Sequence, residues 1–178
     1  ALKAVLWCKS TIGMIIVLTA CLNGVYIYKL LLKTDPTAYL SGRIPRSEYI
    51  EKFQPEYPAL DFANRHLPEN TRLLAFFLGN RSYYSNHDIV FNHTQFKWIV
   101  KNAATAGDVL VSLKKNGNTD IIINYAQFNE WVDINFNTKE KQLIQQFMNR
   151  HTRLRFAKNG FGLYHLPFSK ASPALSSL

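Results

Sequence analysis

Arg72-Leu-Leu-Ala-Phe-Phe-Leu-Gly79 is an unbroken apolar run behind one arginine, closed by a glycine. A strand with one wet face alternates apolar and polar residues; a strand covered on both faces does not. The run therefore predicts a central strand with helices on either side, the setting of a parallel sheet. Thr119-Asp-Ile-Ile-Ile-Asn124 has the same character, and Asp88 to Asn92 is a shorter candidate. Between these strands lie two helical patterns. Thr94 is expected to cap a helix to about Asn102, with Phe96, Ile99 and Val100 inward. Another spans about Gly107 to Asn116, with Val109, Leu110 and Leu113 inward and Gly117 suited to its C-terminal cap.

Upstream, Ser47 is expected to cap a short helix that ends before Pro55. A second helix runs from about Glu56 to His66, with Tyr57, Leu60, Ala63 and Leu67 on one face and Pro68 ending it. Downstream, Asn137 and Glu140 have capping-box spacing. They open a helix with Leu143, Ile144, Phe147 and Met148 as its buried stripe. Asn159-Gly160 then marks a tight hairpin, because both positions of that turn favour positive φ. Strands alternating with helices give an α/β domain with a mixed, mostly parallel sheet and a C-terminal β-hairpin; the first two or three strands should be parallel, with right-handed crossovers.

Ahead of this domain, residues 10 to 28 carry no charge; Lys9 closes the run on one side and Lys29 and Lys33 on the other. A bilayer core of roughly 30 Å needs about 20 apolar helical residues. The run has that length, Leu30 to Leu32 extend it, and Tyr26 and Tyr28 lie near one end where amphipathic rings favour the interface. The expected order is a transmembrane helix at 1–33, a linker at 34–46 with Asp35-Pro36 stopping the helix, an α/β domain at 47–168 and a disordered tail at 169–178. Two other readings stay open: a buried core helix, and a cleaved signal in which Leu18-Thr19-Ala20-Cys21 resembles a lipobox. Against the latter, Leu22 to Leu32 continues apolar where a lipoprotein has a polar tether.

The chain has 178 residues and a formal charge of +9. Residues 34 to 137 carry 10 basic and 11 acidic side chains; residues 138 to 178 carry 7 and 1. Basic residues near a membrane are drawn to anionic headgroups. No recognition motif accompanies the charge, so nucleic acid is not an expected partner. Both cysteines, Cys8 and Cys21, lie in the apolar region, so the domain has neither a disulfide nor a thiolate metal site. The five histidines include no i, i+4 pair, and no metal or cofactor is expected. His87, Asp88 and His93 are close in sequence, but polar side chains facing solvent are the default expectation there. The nucleophile elbow, the dinucleotide fingerprint and the phosphate loop are all missing from the sequence.

One loop stands out: Gly79-Asn80-Arg81-Ser82-Tyr83-Tyr84. Open α/β sheets bind ligands beyond the carboxyl ends of their strands. There Arg81 suits a phosphate or carboxylate, and Tyr83 and Tyr84 suit a sugar or a lipid head. The alternative is rim packing for the tyrosines and an ion pair for Arg81.

An ordered set of features carries a resemblance: the apolar span; Asp35-Pro36, Tyr39-Leu40 and Gly42; the helix through Glu48-Tyr49-Ile50; Tyr57 to Leu74; the 79–84 loop; and the 119–124 strand. Together they resemble the C-terminal end of bacterial GT-C type membrane glycosyltransferases, relatives of the dolichyl-phosphate-mannose protein mannosyltransferases and of the lipid A aminoarabinose transferase. Asn64, Leu67, Pro68, Leu73, Leu74, Gly79, Arg81, Tyr83 and Tyr84 match that pattern; Asn80 departs from it, since an acidic residue is frequent there. The resemblance implies the last span and extracytoplasmic domain of a transferase in the bacterial inner membrane, on the periplasmic side. Its partners would be membrane lipid, a polyprenyl-phosphate sugar, a glycan or lipid acceptor, and an upstream transmembrane domain of the same polypeptide. Catalytic residues would precede residue 1, so none is expected in this chain. The alternative is a single-span anchored α/β module that binds a wall polymer or partner protein.

Overall fold

The structure is a computed structural model that describes residues 2–79 and 82–167, with side chains from Thr11 onward. The chain divides into two compact units between Tyr49 and Ile50. In the first, α1 (Leu2–Thr34) is followed by α2 (Pro36–Leu40) and the start of α3 (Arg46–Phe53). Its Thr11–Thr34 segment is the one helix among the described residues long and apolar enough to cross a membrane. Its most apolar stretch is not buried among the described residues, whereas the core helix of a soluble domain is mostly buried. Apolar side chains ring the helix, which suits lipid on all sides. Asp35 leaves the helical region with φ 42°, and Pro36 starts α2 at its first turn. The expected linker thus holds a short helix of its own, in which Tyr39 stacks on Tyr49 at 5.3 Å.

Ser47 does not cap α3. The helix begins at Arg46, and the Pro45 carbonyl accepts its first bond, from Tyr49 N. The second unit follows with α4 (Tyr57–His66), β1 (Arg72–Phe76), a 3₁₀ turn (Ser82–Tyr84), β2 (Asp88–Val90), α5 (His93–Asn102) and α6 (Ala106–Lys115). Then come β3 (Asp120–Asn124), α7 (Tyr125–Asn135), α8 (Thr138–His151), β4 (Arg153–Lys158) and β5 (Phe161–His165). The five strands form one sheet in the order β2-β1-β3-β5-β4. As expected, β1 pairs parallel with both β2 and β3. The β4–β5 hairpin joins antiparallel to β3, and its turn residues Asn159 and Gly160 have φ of 52° and 80°.

Alternation along the central strands explains their unbroken apolar sequence. Leu74, Phe76, Ile121 and Ile123 point to a core shared with α5, α6, α7 and α8. Leu73, Ala75 and Ile122 point to the other face, where Leu60 and Ala63 of α4 cover them with Phe161 and Leu163. Each strand is therefore covered twice.

Side chains on neighbouring turns fix the helix starts. Asn137 and Glu140 form the expected capping box on α8. Thr105 and Asp108 form another on α6, one residue before the expected start. Thr94 does not cap α5; Asn92 does, accepting from Gln95 N at 2.9 Å. The sequence reading does not anticipate α7. It starts directly after β3, whose last residue, Asn124, doubles as its N-cap. The expected tail at 169–178 lies outside the described residues.

Candidate functional site

β1 sits in the parallel part of the sheet, with β2 on one side and β3 on the other. The chain leaves β1 toward β2 and returns to β3 across it. The carboxyl ends of β1 and β3 therefore flank the point where connections diverge, the usual ligand position in such sheets. Phe77, the first residue past β1, has φ 60°. A bulky L-residue rarely adopts that conformation, which costs of order 1–3 kcal/mol. Aromatic packing holds it: Phe77 lies 6.0 Å from the His93 ring and 6.0 Å from Trp131, and those two rings are 6.0 Å apart. Gly79 follows with φ 63° and sends the chain into the loop.

Of the three residues expected to bind ligand, Arg81 lies outside the described residues. Tyr83 and Tyr84 are in the 3₁₀ turn with ring centres 4.2 Å apart. Tyr83 is 69% exposed. Tyr84 is half-buried and meets Tyr57 edge-on at 5.3 Å, so it packs the rim while Tyr83 faces solvent.

Asn64 of α4 holds this turn. Its Nδ2 donates to the Tyr84 carbonyl at 2.8 Å, and its Oδ1 accepts from Asn86 N at 2.8 Å. Both amide atoms are used, so only Asn fits at full satisfaction. His87 adds a second tie: its Nε2 donates to the Ala63 carbonyl at 3.0 Å from a buried position. Asn64→Ala is expected to destabilise the domain by about 1–2 kcal/mol through the lost bonds. Hydrogen exchange should rise at Ser82 to Asn86 well before it rises in β1; uniform exchange across both would contradict this anchoring role.

A second constellation, at the opposite end of the strands, is absent from the sequence reading. Asp120 opens β3 and is 2% exposed. Opposite it in register is His165 of β5, whose Nδ1 lies 3.1 Å from Asp120 Oδ1. A carboxylate only accepts, so Nδ1 carries the proton. Arg155 Nε approaches the same oxygen at 3.6 Å. Arg155 stands at an irregularity between Leu154 and Phe156 in the β4–β5 pairing, which turns it toward β3. These residues line a cleft of about 360 Å³ with Asn70, Thr71, Lys114 and Asn118. Burial lowers the pKa of the Lys114 ammonium, and the Asp120 charge partly opposes that.

Sequence spacing could not join these groups, since Asp120 and His165 meet only through strand register. The one signal was a charge at the head of an otherwise apolar strand. Among the described residues no group of three His, Cys, Asp or Glu side chains could hold a metal ion. Comparison of the chain with protein-family models, with curated proteins and with solved structures finds no match in any of the three.

Proposed function

We propose that this chain is the membrane-anchored, extracytoplasmic end of a membrane glycosyltransferase that uses a polyprenyl-phosphate sugar donor. In this reading the α/β domain is an accessory that helps hold donor or acceptor and does no chemistry alone. The observation that carries it is one membrane-length helix in the same chain as an α/β domain whose β1 ends on Phe77, strained and packed between His93 and Trp131. The motif order from Asp35 to Asn124 adds the transferase affiliation. The extracytoplasmic, periplasmic side follows from that affiliation. Arg81 would take the phosphate, and Tyr83 would lie against the sugar. The Asp120 constellation, enclosed within the domain, favours a second reading: a self-sufficient anchored module that binds a wall polymer or partner protein.

The test uses the full chain in lipid nanodiscs, with and without polyprenyl phosphate, against matched discs in which phosphatidylglycerol supplies the same charge. Binding is read by tryptophan fluorescence. A preference for polyprenyl phosphate is expected, weakened about 3- to 10-fold by Arg81→Ala, or roughly 1 kcal/mol. Equal response to both lipids, or an unchanged Arg81→Ala variant, would remove the loop as the donor site.

A further inference from the structure

We propose that the outer margin of β4 docks an acidic, extended segment of a partner protein, which adds to the sheet as an extra strand. The surface lies at the opposite margin from β2 and shares no residue with the 79–84 loop, so this goes beyond the donor reading above.

The first observation is an open backbone edge. β4 has β5 on one side and no strand on the other, and no further backbone hydrogen bond reaches Arg153–Lys158 among the described residues. Its residues are exposed except for half-buried Phe156, so no helix or loop covers the edge. Such an edge offers a row of N–H donors and C=O acceptors, which another extended peptide backbone matches group for group. A phosphodiester chain brings acceptors without the alternating donors.

The second is charge. No acidic residue occurs from 141 to 178, and Arg150, Arg153, Arg155 and Lys158 fall within nine residues. The acids paired to β4 among the described residues are already engaged. Asp120 lies 3.6 Å from Arg155 and 3.1 Å from His165, and Glu51 lies 2.6 Å from Lys158. The Arg153 side chain forms no hydrogen bond or ion pair among the described residues. Arg153 and Arg155 line one hollow of about 370 Å³ with Phe62 and His165, so both guanidinium groups stand on the same face of the edge. In an extended peptide, alternate side chains also point one way. Carboxylates at every second position therefore reach Arg153 and Arg155 together, through the forked N–H donors that suit a carboxylate.

The third is selectivity. The irregular pairing between Leu154 and Phe156 breaks the edge into 153–154 and 156–158. Backbone pairing over such short runs is weak by itself, so side-chain charge decides what adds. A second copy of β4 would set Arg and Lys against Arg and Lys, which is unfavourable. An acidic strand reverses that sign, and exposed Leu154 gives it an apolar contact.

The full chain in zwitterionic detergent micelles is titrated against an end-capped, fluorescein-labelled peptide of alternating glutamate and threonine, with anisotropy as the readout. Binding at least about 10-fold tighter than that of the matching lysine–threonine peptide is expected. A fully N-methylated acidic peptide keeps the charges and has no backbone donor; it should bind several-fold more weakly than the parent peptide. Arg153→Gln, which has no partner to lose, should weaken binding several-fold at an unchanged melting temperature. Arg153→Glu should shift the preference toward the lysine peptide. Arg81→Ala should bind the acidic peptide like the parent chain, so this surface and the donor loop fail or succeed separately. A parallel arm places the chain in nanodiscs with brominated phosphatidylglycerol, which quenches nearby tryptophans. Arg153-dependent quenching there, without binding of the acidic peptide, would assign the surface to the membrane and overturn the proposal. So would equal binding of the lysine or N-methylated peptide, an Arg153→Gln variant that binds like the parent, or Arg153-dependent self-association in place of peptide binding.

Discussion

Replacing Phe76 by Ala is expected to lower the stability of the α/β domain by about 3–5 kcal/mol, the range for truncating a buried aromatic side chain. Phe76 is 1% exposed and ends β1. Its ring meets Phe96 and Phe128 edge-on, each at 5.0 Å, and Trp131 at 6.1 Å. Removing it opens a hole where α5, α7 and the sheet converge, and rigid rings close such holes poorly. A loss of this size is a fifth or more of the margin of a typical domain, about 5–15 kcal/mol. Chemical denaturation of the full chain in detergent, followed by tryptophan fluorescence, reads it directly. Phe76→Leu should cost much less, since it keeps most of the volume. Near-equal losses in the two variants would mean that something other than the cavity sets the effect.

Gly162→Ala should be the most damaging single-methyl addition, at about 2–3 kcal/mol from overpacking. Gly162 sits in mid-strand on β5, opposite Ile123 and Ala157. A Cβ there would overlap the Tyr125 hydroxyl oxygen and come within 2.6 Å of its ring carbon and 2.9 Å of a Tyr164 ring carbon. Tyr125 cannot swing aside cheaply. It packs on the main core, and its hydroxyl lies 3.0 Å from that of Tyr164. Burial first, and the bond to Tyr125 second, raise the pKa of the Tyr164 phenol, so its proton stays on through ordinary alkaline pH. In a Tyr125→Ala background the same glycine substitution should cost much less, because only the Tyr164 contact remains. Equal costs in both backgrounds would show that backbone effects, and not Tyr125, make the glycine necessary.

These two positions show which parts of the fold were legible in sequence. Phe76 belongs to the apolar run 72–79, and that run alone implied a doubly covered strand. The capping box at Asn137 and the turn at Asn159-Gly160 were equally plain, because each depends on residues within three positions of one another. Gly162 was opaque: its need arises from Tyr125, on a helix the sequence did not announce. α7 buries only Phe128 fully, so its periodic signal is weak, and Asn124 gives no spacer between strand and cap. Thr94 was a plausible cap two residues from the true one, since Asn92 and Thr94 share the chemistry and only geometry chooses between them.

The candidate sites divide along the same line. Tyr83 and Tyr84 could be picked out because loops after apolar strands are local features. The role of Asn64 could not, although it lies in the same motif, because its bonds to Tyr84 and Asn86 span about twenty residues. The Asp120, His165 and Arg155 cluster draws on three strands. Its assembly depends on strand order and on one irregular pairing in β4.

That irregularity has a further consequence, because β4 and β2 are the two free margins of the sheet. An open margin invites strands from other copies to add on, the first step toward fibres. β2 is only three residues long, too short a template for stable addition. β4 carries Arg153, Arg155 and Lys158 along a kinked backbone, with Lys158 clasped by Glu51 at 2.6 Å. Polypeptides confined to a plane by an apolar helix collide with their own kind far more often than freely diffusing ones. Blunted margins on both sides would let copies of a chain held in that way meet often without zipping into aggregates.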